Sequence, residues 1–212
     1  MTIPRRALIV IDVQQDYFSG PLEIQHPAHT DSLPTITRTV DAAAEAGMPI
    51  AVFQHTGGEG SPVFDPSQPG FALHPDVESR RTSTWKSIVK RFGSVYADTD
   101  LAAWLREQDV DTVTLVGYMT NNCVLASAVE GEGLGFTTEV LSDATGAINI
   151  ANEAGFATAQ TVHETIMAVL NSNLAAVATS AAWTEAVSAG ESLPASDLGT
   201  SAVMGAQQAA DA

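Results

Sequence analysis

The sequence predicts an α/β fold in which a parallel sheet lies between layers of helices. The chain has 212 residues, a length that suits one domain with a sizeable core. Short, continuous apolar runs recur along it, as expected for strands that are buried on both faces. Helical stretches separate these runs, and such alternation implies parallel pairing with right-handed crossovers.

The predicted elements follow one another closely. They are a strand at 7–13, a helix at 32–46 capped by Asp31 or Ser32 and stopped by Gly47, a strand at 49–54, a helix at 99–108, a strand at 112–118, a helix at 121–130, a strand at 136–143, a helix at 151–170, a strand at 175–180 and a helix ending at Ala189. Residues 55–80 are rich in Gly, Pro and Ser, and a loop this long is more often functional than idle. The predicted domain spans 1–189, followed by a tail, 190–212, that is flexible or packs on a neighbouring subunit.

The composition excludes several classes of protein. Twenty-five acidic residues against nine basic ones give a formal charge of −16, which argues against nucleic-acid binding. A single cysteine excludes an internal disulfide framework. The apolar runs are too short to span a membrane, and the one near the start ends at Asp12 without an export signal. We therefore expect a cytoplasmic protein that contacts neither membrane nor nucleic acid.

Three residues with reactive side chains are predicted to lie together. Ligands of open parallel sheets bind at the carboxyl ends of the strands. Asp12 ends the first predicted strand, Cys123 follows the third, and Lys90 precedes the segment RFGSVYADT. A thiol in the first turn of a helix is expected to gain thiolate character from the helix dipole. Taken singly, the three also fit a buried small hydrophobe, a solvated strand end and a surface lysine.

Three segments carry a resemblance to a known family. IDVQQDYF, KRFGSVYADTDL and GYMTNNCV resemble, in this order, the signature blocks of the isochorismatase-like cysteine hydrolases. The resemblance extends from about residue 7 to 189 and implies a three-layer α-β-α sandwich with a six-stranded, mostly parallel sheet. It also implies a homo-oligomer, either a homodimer or a homotetramer.

The same resemblance assigns roles to individual residues. It implies a catalytic triad of Asp12, Lys90 and Cys123. The backbone N–H groups of Met119 and Cys123 would form the oxyanion hole, and a non-proline cis peptide would join Tyr118 to Met119. The chemistry expected of such a triad is hydrolysis of a small, non-peptide amide through a thioester, with the carboxylate acting as the base.

The expected pocket is less well defined than the triad. Aromatic residues near the signature segments are candidates for its walls, namely Phe18, Trp85, Tyr96 and Tyr118. Tyr17 and Met119 are further candidates. Gly57, Gly58 and Gly60 are expected to give a mobile loop over the pocket.

One departure from related enzymes concerns metal binding. Nicotinamidases of the superfamily carry an Asp-x-His and a further His as a metal site after the second strand. Here this region reads FQHTGGEG, with His55 about where the aspartate would be. Because His55 and His74 alone make a poor ligand set, we expect no catalytic metal and no other cofactor.

Three alternatives remain open at this level. They are a metal-containing amidase of the nicotinamidase type, a non-catalytic protein that binds small molecules on the same scaffold, and a thiol-based redox sensor. The last is disfavoured because the chain has no second cysteine to resolve an oxidised thiol. The basic residues that the triad does not use, Arg80, Arg81, Lys86 and Arg91, are expected to pair with acidic residues.

Overall fold

The computed structural model describes residues 3–211 and contains one large sheet and one small hairpin. The strands are β1 (Arg6–Ile11), β2 (Ile50–His55), β3 (Lys86–Lys90), β4 (Thr112–Tyr118), β5 (Thr137–Gly146), β6 (Ile150–Asn152), β7 (Gly155–Ala157) and β8 (Ala176–Ala178). The large sheet has six strands in the order β3-β2-β1-β4-β5-β8, and all of its pairs are parallel. The β6–β7 hairpin is antiparallel.

Helices cover both faces of the large sheet. They are α1 (His29–Glu45), α2 (Pro75–Glu78), α3 (Leu101–Glu107), α4 (Leu125–Gly133), α5 (Ala159–Val169), α6 (Ser180–Ala189) and α7 (Leu198–Asp211). Ile36 of α1 and Trp183 of α6 belong to the core on one face. Leu105 of α3, Ala128 of α4 and Met167 of α5 belong to the core on the other. The predicted three-layer sandwich with six strands is therefore confirmed.

The central strands are apolar because both of their faces are covered. Every residue of β1, RALIVI, and of β4, TVTLVGY, is buried. The edge strand β3, KSIVK, lacks this pattern, since Val89 is 56% exposed. Its mixed, partly charged sequence explains why no strand is predicted there from apolar runs alone.

The structure corrects three predicted helices. The helix predicted at 32–46 begins earlier, at His29, so neither Asp31 nor Ser32 is its cap. The helix predicted at 151–170 begins at Ala159, because residues 150–157 form the β6–β7 hairpin. The side chain of Thr158 caps it by accepting the N–H of Thr161 at 3.1 Å. The helix predicted at 121–130 begins with a π-helical turn, Thr120–Val124, and continues as α4.

The chain's last described element is a helix that the sequence pattern does not indicate. None of the described residues of α7 is buried, and Leu198, Val203 and Met204 are exposed. A helix rich in Ala and Gly with no buried stripe gives little periodic signal. Packing of the 190–212 tail on a second subunit, and the homodimer or homotetramer, stay predictions. No described helix combines the length and apolar character that a membrane crossing requires.

A buried ion pair joins three strands and α6. The guanidinium of Arg6 donates to both carboxylate oxygens of Glu139 at 2.9 to 3.1 Å. Oε2 of Glu139 also accepts from the hydroxyl of Thr114 at 2.8 Å and from the indole N–H of Trp183 at 3.1 Å. Arg6 donates further to the backbone oxygen of Glu191 at 2.6 Å. The pair is thus hydrogen-bonded on both sides, as burial of two charges requires.

Most of the basic cluster at 80–91 is paired within the chain, as the sequence analysis expects. The Nε of Arg80 lies 2.8 Å from Oδ1 of Asp41 on α1, and Arg81 pairs with Glu78. Lys86 lies 2.5 Å from Asp100. Surface pairs of this kind contribute about 0–1 kcal/mol each. Lys90 is buried and has a different environment, and Arg91 forms no ion pair with a described residue.

Candidate active site

The three predicted reactive residues lie at the carboxyl ends of three strands. Asp12 follows β1, Lys90 ends β3, and Cys123 lies in the turn after β4. Because β2 separates β1 from β3 in the sheet, the lysine reaches its partners across the end of β2. Asp12 has a φ of 48° and donates its backbone N–H to Phe53 at 3.1 Å. This left-handed backbone turns the chain away from the strand.

The ammonium group of Lys90 is the centre of the site. Its Nζ lies 2.7 Å from Oδ2 of Asp12 and donates to Sγ of Cys123 at 3.2 Å. It also donates to the backbone oxygen of Phe92 at 3.1 Å and lies 3.3 Å from Nδ1 of His55. The side chains of Asp12, Lys90 and Cys123 are all buried. The structure therefore brings the predicted triad together.

The electrostatics of Cys123 differ from the expectation that a helix start favours its thiolate. Burial, and then the charge of Asp12, raise the pKa of the Cys123 thiol to about 12, and the charge of Lys90 opposes this only in part. Burial alone would lower the pKa of Lys90, but the charges of Asp12 and Cys123 raise it above its ordinary value. The resting site thus favours an ammonium and a protonated thiol.

One carboxylate oxygen of Asp12 remains available. Within the part of the chain that the structure describes, Oδ1 of Asp12 has no hydrogen-bond donor although it is buried. A carboxylate oxygen of Asp12 and Sγ of Cys123 lie within 4.8 Å of one another. An unpaired, buried carboxylate oxygen beside a thiol is suited to accept the thiol proton.

The turn between β4 and Cys123 has a constrained backbone. The peptide bond between Tyr118 and Met119 is cis, which confirms the prediction. No described group accepts a hydrogen bond from the N–H of Met119. Gly117 has a φ of 104°, and a Cβ there would lie 2.1 Å from the backbone oxygen of Ile11. Only glycine fits this close approach of β4 to β1.

A buried histidine fixes the start of the same turn. Nδ1 of His163, on α5, lies 2.9 Å from the hydroxyl of Thr120. Burial, and then the nearby His26, lower the pKa of His163 to about 4, so its ring is neutral near pH 7. This contact links α5 to the turn that carries Cys123.

A cavity of about 250 Å³ opens onto the thiol. Its lining is mainly apolar, with Tyr17, Leu22, Gly57, Val63, Phe64 and Met119 beside the polar residues His55, Asn122 and Cys123. Among these residues none carries an acidic or basic side chain other than the imidazole of His55. The site therefore presents a small, largely uncharged space to a ligand.

The four aromatic residues predicted as pocket walls do not line this cavity. Phe18 packs at a tilt against His74, with ring centroids 4.4 Å apart. Tyr118 is buried and bonds Ser32 at 2.8 Å. Tyr96 stacks on Phe136 at 5.8 Å, next to the amino end of β5. The prediction was wrong because aromatic residues near a signature segment can also pack in the hydrophobic core.

Trp85 also lies outside the cavity beside Cys123. It precedes β3 and lines a separate cavity of about 470 Å³ near the amino end of β2. A further cavity of about 510 Å³ lies at the amino ends of β4, β5 and β8. Neither larger cavity includes a member of the triad. Cavity volume alone would thus point to the wrong end of the sheet.

The glycine-rich loop, Tyr17 and Met119 were predicted at the pocket, and Gly57, Tyr17 and Met119 do line the cavity, but Val63 and Phe64 of the same loop were not predicted. Residues Val63 and Phe64 line the cavity, and the N–H of Phe64 donates to Oδ2 of Asp16 at 2.6 Å. The N–H of Gly57 donates to the oxygen of Phe64 at 3.1 Å. Asp65 accepts the N–H of Gly60 at 2.9 Å. The available signal was the length and composition of the 55–80 segment, which marks a loop but not its contacts.

The donor set beside the cavity does not fit a metal ion. Among the described residues, one group of at least three metal-binding side chains has its ligand atoms within 4.8 Å of one another: Asp12, His55 and Cys123. The ammonium of Lys90 already lies within 3.3 Å of all three. A cation at their centre would meet this positive charge at close range. His74 instead packs on Phe18.

Comparison with known proteins decides the family. The model of the Isochorismatase domain matches residues 6–182. The chain belongs to the isochorismatase family. The isochorismatase family contains hydrolases that act on non-peptide C–N bonds.

Relatives of this isochorismatase-family chain cover most of its length. The isochorismatase family protein YddQ of Bacillus subtilis is 29% identical over 84% of this chain and 97% of its own. The nicotinamidase/pyrazinamidase of Mycobacterium tuberculosis is 28% identical over 68% of this chain and 88% of its own. A crystal structure from Burkholderia xenovorans LB400 is 39% identical, covers 99% of this chain and 100% of its own, and superposes with a TM-score of 0.95.

Proposed function

We propose that the protein is a metal-independent cysteine amidohydrolase that cleaves a small, uncharged, non-peptide amide through a thioester. One observation carries the proposal: the buried ammonium of Lys90 contacts both Asp12 and Cys123, and the thiol borders a cavity. The M. tuberculosis relative, named a nicotinamidase/pyrazinamidase, supports amide chemistry by similarity.

The first half of the reaction forms the acyl-enzyme. Asp12 takes the proton of Cys123 as Sγ attacks the amide carbon, so the raised thiol pKa is overcome within the step. Lys90 stabilises the negative charge on sulfur and carboxylate while the proton moves. The protonated Asp12 then gives its proton to the departing nitrogen, which leaves as ammonia or an amine.

The second half returns the free enzyme. Asp12, again a carboxylate, takes a proton from water as the water oxygen attacks the thioester carbon. The thiolate leaves and recovers a proton, releasing a carboxylic acid. In both halves the oxyanion accepts hydrogen bonds from the backbone N–H groups of Met119 and Cys123. The unpartnered N–H of Met119 supports this role, and loss of such a donor typically costs about 3–4 kcal/mol.

The cavity limits the substrate. A volume of about 250 Å³ accommodates a small acyl group but no peptide chain. Its walls include Leu22, Val63 and Phe64, and no lysine, arginine, aspartate or glutamate lines it. An acyl group with its own carboxylate would lose hydration without gaining a counter-ion. The preferred acyl group is therefore short, apolar and uncharged.

Replacement of Cys123 by alanine is expected to abolish hydrolysis across a panel of acetamide, butyramide, benzamide and nicotinamide. Without the thiol no acyl-enzyme forms, so kcat falls to background. Ammonia release measures turnover, and mass spectrometry of rapidly quenched wild type should detect the acyl adduct on Cys123. Full activity in Cys123→Ala would refute the mechanism.

Metal dependence and simple binding are tested in parallel. Dialysis against EDTA should leave wild-type turnover unchanged, because no step uses a metal. Loss of activity that Zn²⁺ or Mn²⁺ restores would favour a nicotinamidase-type metal enzyme. A non-catalytic binding protein would instead bind a panel amide by calorimetry without releasing ammonia.

A further inference from the structure

His55 lies at the end of β2, in the wall of the cavity beside Cys123. The side chain of Gln14 makes hydrogen bonds with both the backbone N–H and the backbone oxygen of His55. The N–H of His55 donates to Oε1 of Gln14 at 2.7 Å, and Nε2 of Gln14 donates to the oxygen of His55 at 3.1 Å. Gln14 itself is buried. The imidazole also packs edge-on against Phe64, with ring centroids 5.4 Å apart. These contacts fix the ring in one place.

The two nitrogens of this ring have different surroundings. Nδ1 lies 3.3 Å from Nζ of Lys90. Nε2 has no hydrogen-bond partner among the described residues, and this atom is not fully buried. Since His55 lines the cavity, Nε2 is accessible from it.

The ring is neutral in this environment. Burial, and then the positive charge of Lys90, lower the pKa of His55, while the charge of Asp12 and a hydrogen bond to the backbone of Phe92 oppose the shift. A neutral imidazole has one acceptor nitrogen and one donor nitrogen. An ammonium can only donate, so if Nδ1 takes part in a hydrogen bond with Lys90 it is the acceptor, and Nε2 then carries the hydrogen.

We propose that His55 is a positioning and substrate-binding residue with a separate task for each nitrogen. Nδ1 holds the ammonium of Lys90 against Asp12 and Cys123, and the Nε2–H donates to a polar atom of the amide substrate. The inference rests on the proposed amidohydrolase function and deepens it.

Three variants separate the two tasks. In His55→Asn the side-chain oxygen takes the place of Nδ1, and the donor into the cavity is lost. In His55→Gln the amide N–H takes the place of Nε2, and the acceptor for Lys90 is lost. His55→Leu removes both. The panel amide with the highest wild-type kcat/KM serves as the probe.

The expected result is a split between the kinetic constants. His55→Gln lowers kcat about 10- to 100-fold with KM near the wild-type value, because Lys90 loses a charge-assisted hydrogen bond. His55→Asn raises KM about 3- to 10-fold with kcat nearly unchanged. His55→Leu combines both effects. His74→Asn is the matched control, since its ring lies outside the cavity and asparagine still caps α2; its constants should equal those of wild type.

A second measurement does not depend on turnover. Alkylation of Cys123 by iodoacetamide should slow in His55→Gln and His55→Leu, because a displaced Lys90 stabilises the thiolate less, and should keep its rate in His55→Asn. Thermal unfolding identifies any variant that fails to fold. Equal losses in the Asn and Gln variants, or none in any variant, would overturn the inference. If Cys123→Ala is inactive while the His55 variants match wild type, the proposed function stands and only the inference fails.

Discussion

Asp12→Asn is expected to make Cys123 more reactive towards iodoacetamide while it nearly abolishes amide hydrolysis. Asparagine cannot accept the thiol proton, and general-base catalysis contributes about 10²- to 10⁴-fold, so kcat falls by that factor. The charge of Asp12 raises the pKa of Cys123, whereas Lys90 lowers it. Removal of the carboxylate therefore lowers the thiol pKa and increases the thiolate fraction near pH 7 by about tenfold or more.

The matched control is Asp98→Asn. Asp98 has a φ of 56°, close to the 48° of Asp12, and asparagine tolerates such backbone angles well. Asp98 is exposed and neither belongs to the triad nor lines the cavity, so both rates should stay at wild-type values. Alkylation is quenched at set times and quantified by mass spectrometry, and ammonia release is measured on the same protein preparation. A fall in both the alkylation rate and the hydrolysis rate of Asp12→Asn would contradict the expectation that the charge of Asp12 disfavours the Cys123 thiolate.

Glu139→Ala is expected to cause the largest loss of stability. Arg6 would keep its charge in a buried position without a counter-ion, and breaking a buried pair in this way costs about 3–5 kcal/mol. Thr114 and Trp183 would each lose an acceptor at the same time. For a domain of this size the melting temperature should fall by roughly 6–20 °C. Urea unfolding followed by circular dichroism measures the free energy of unfolding.

Two comparisons show whether the buried charge is the cause. Glu78→Ala breaks an exposed pair with Arg81 and should change the free energy of unfolding by less than about 1 kcal/mol. The double variant Arg6→Met, Glu139→Leu removes both charges and should recover most of the stability that Glu139→Ala loses. An equally unstable double variant would show that packing rather than the unpaired arginine accounts for the loss.

The sequence predicted the reactive residues well because their positions follow from strand ends. Asp12 interrupts an apolar strand, and Cys123 follows another across a short turn, so parallel pairing places both at one edge. Lys90 was harder to place, since the strand that carries it lies at the sheet edge and has one exposed face. Only its resemblance to a signature segment distinguished it from the neighbouring surface cations.

The walls of the cavity could not be predicted in the same way. Val63 and Phe64 reach the site through hydrogen bonds from a loop to Asp16, and such contacts leave no periodic trace in the chain. The raised pKa of Cys123 was missed for a related reason. It depends on complete burial next to a carboxylate, whereas position at a helix start suggests the opposite shift. Both the cavity walls and the pKa of Cys123 depend on which residues lie close together in the folded chain.

The strands position the reacting groups, whereas connecting segments form part of the cavity wall, and this separation affects how the protein can evolve. The reacting groups are fixed to the sheet, while Leu22, Val63 and Phe64 come from connecting segments outside it. Substitutions in those connections reshape what enters the site and leave its chemistry intact. If the proposed amidohydrolase function holds, a library restricted to these three positions would explore new substrates while the reacting groups stay unchanged.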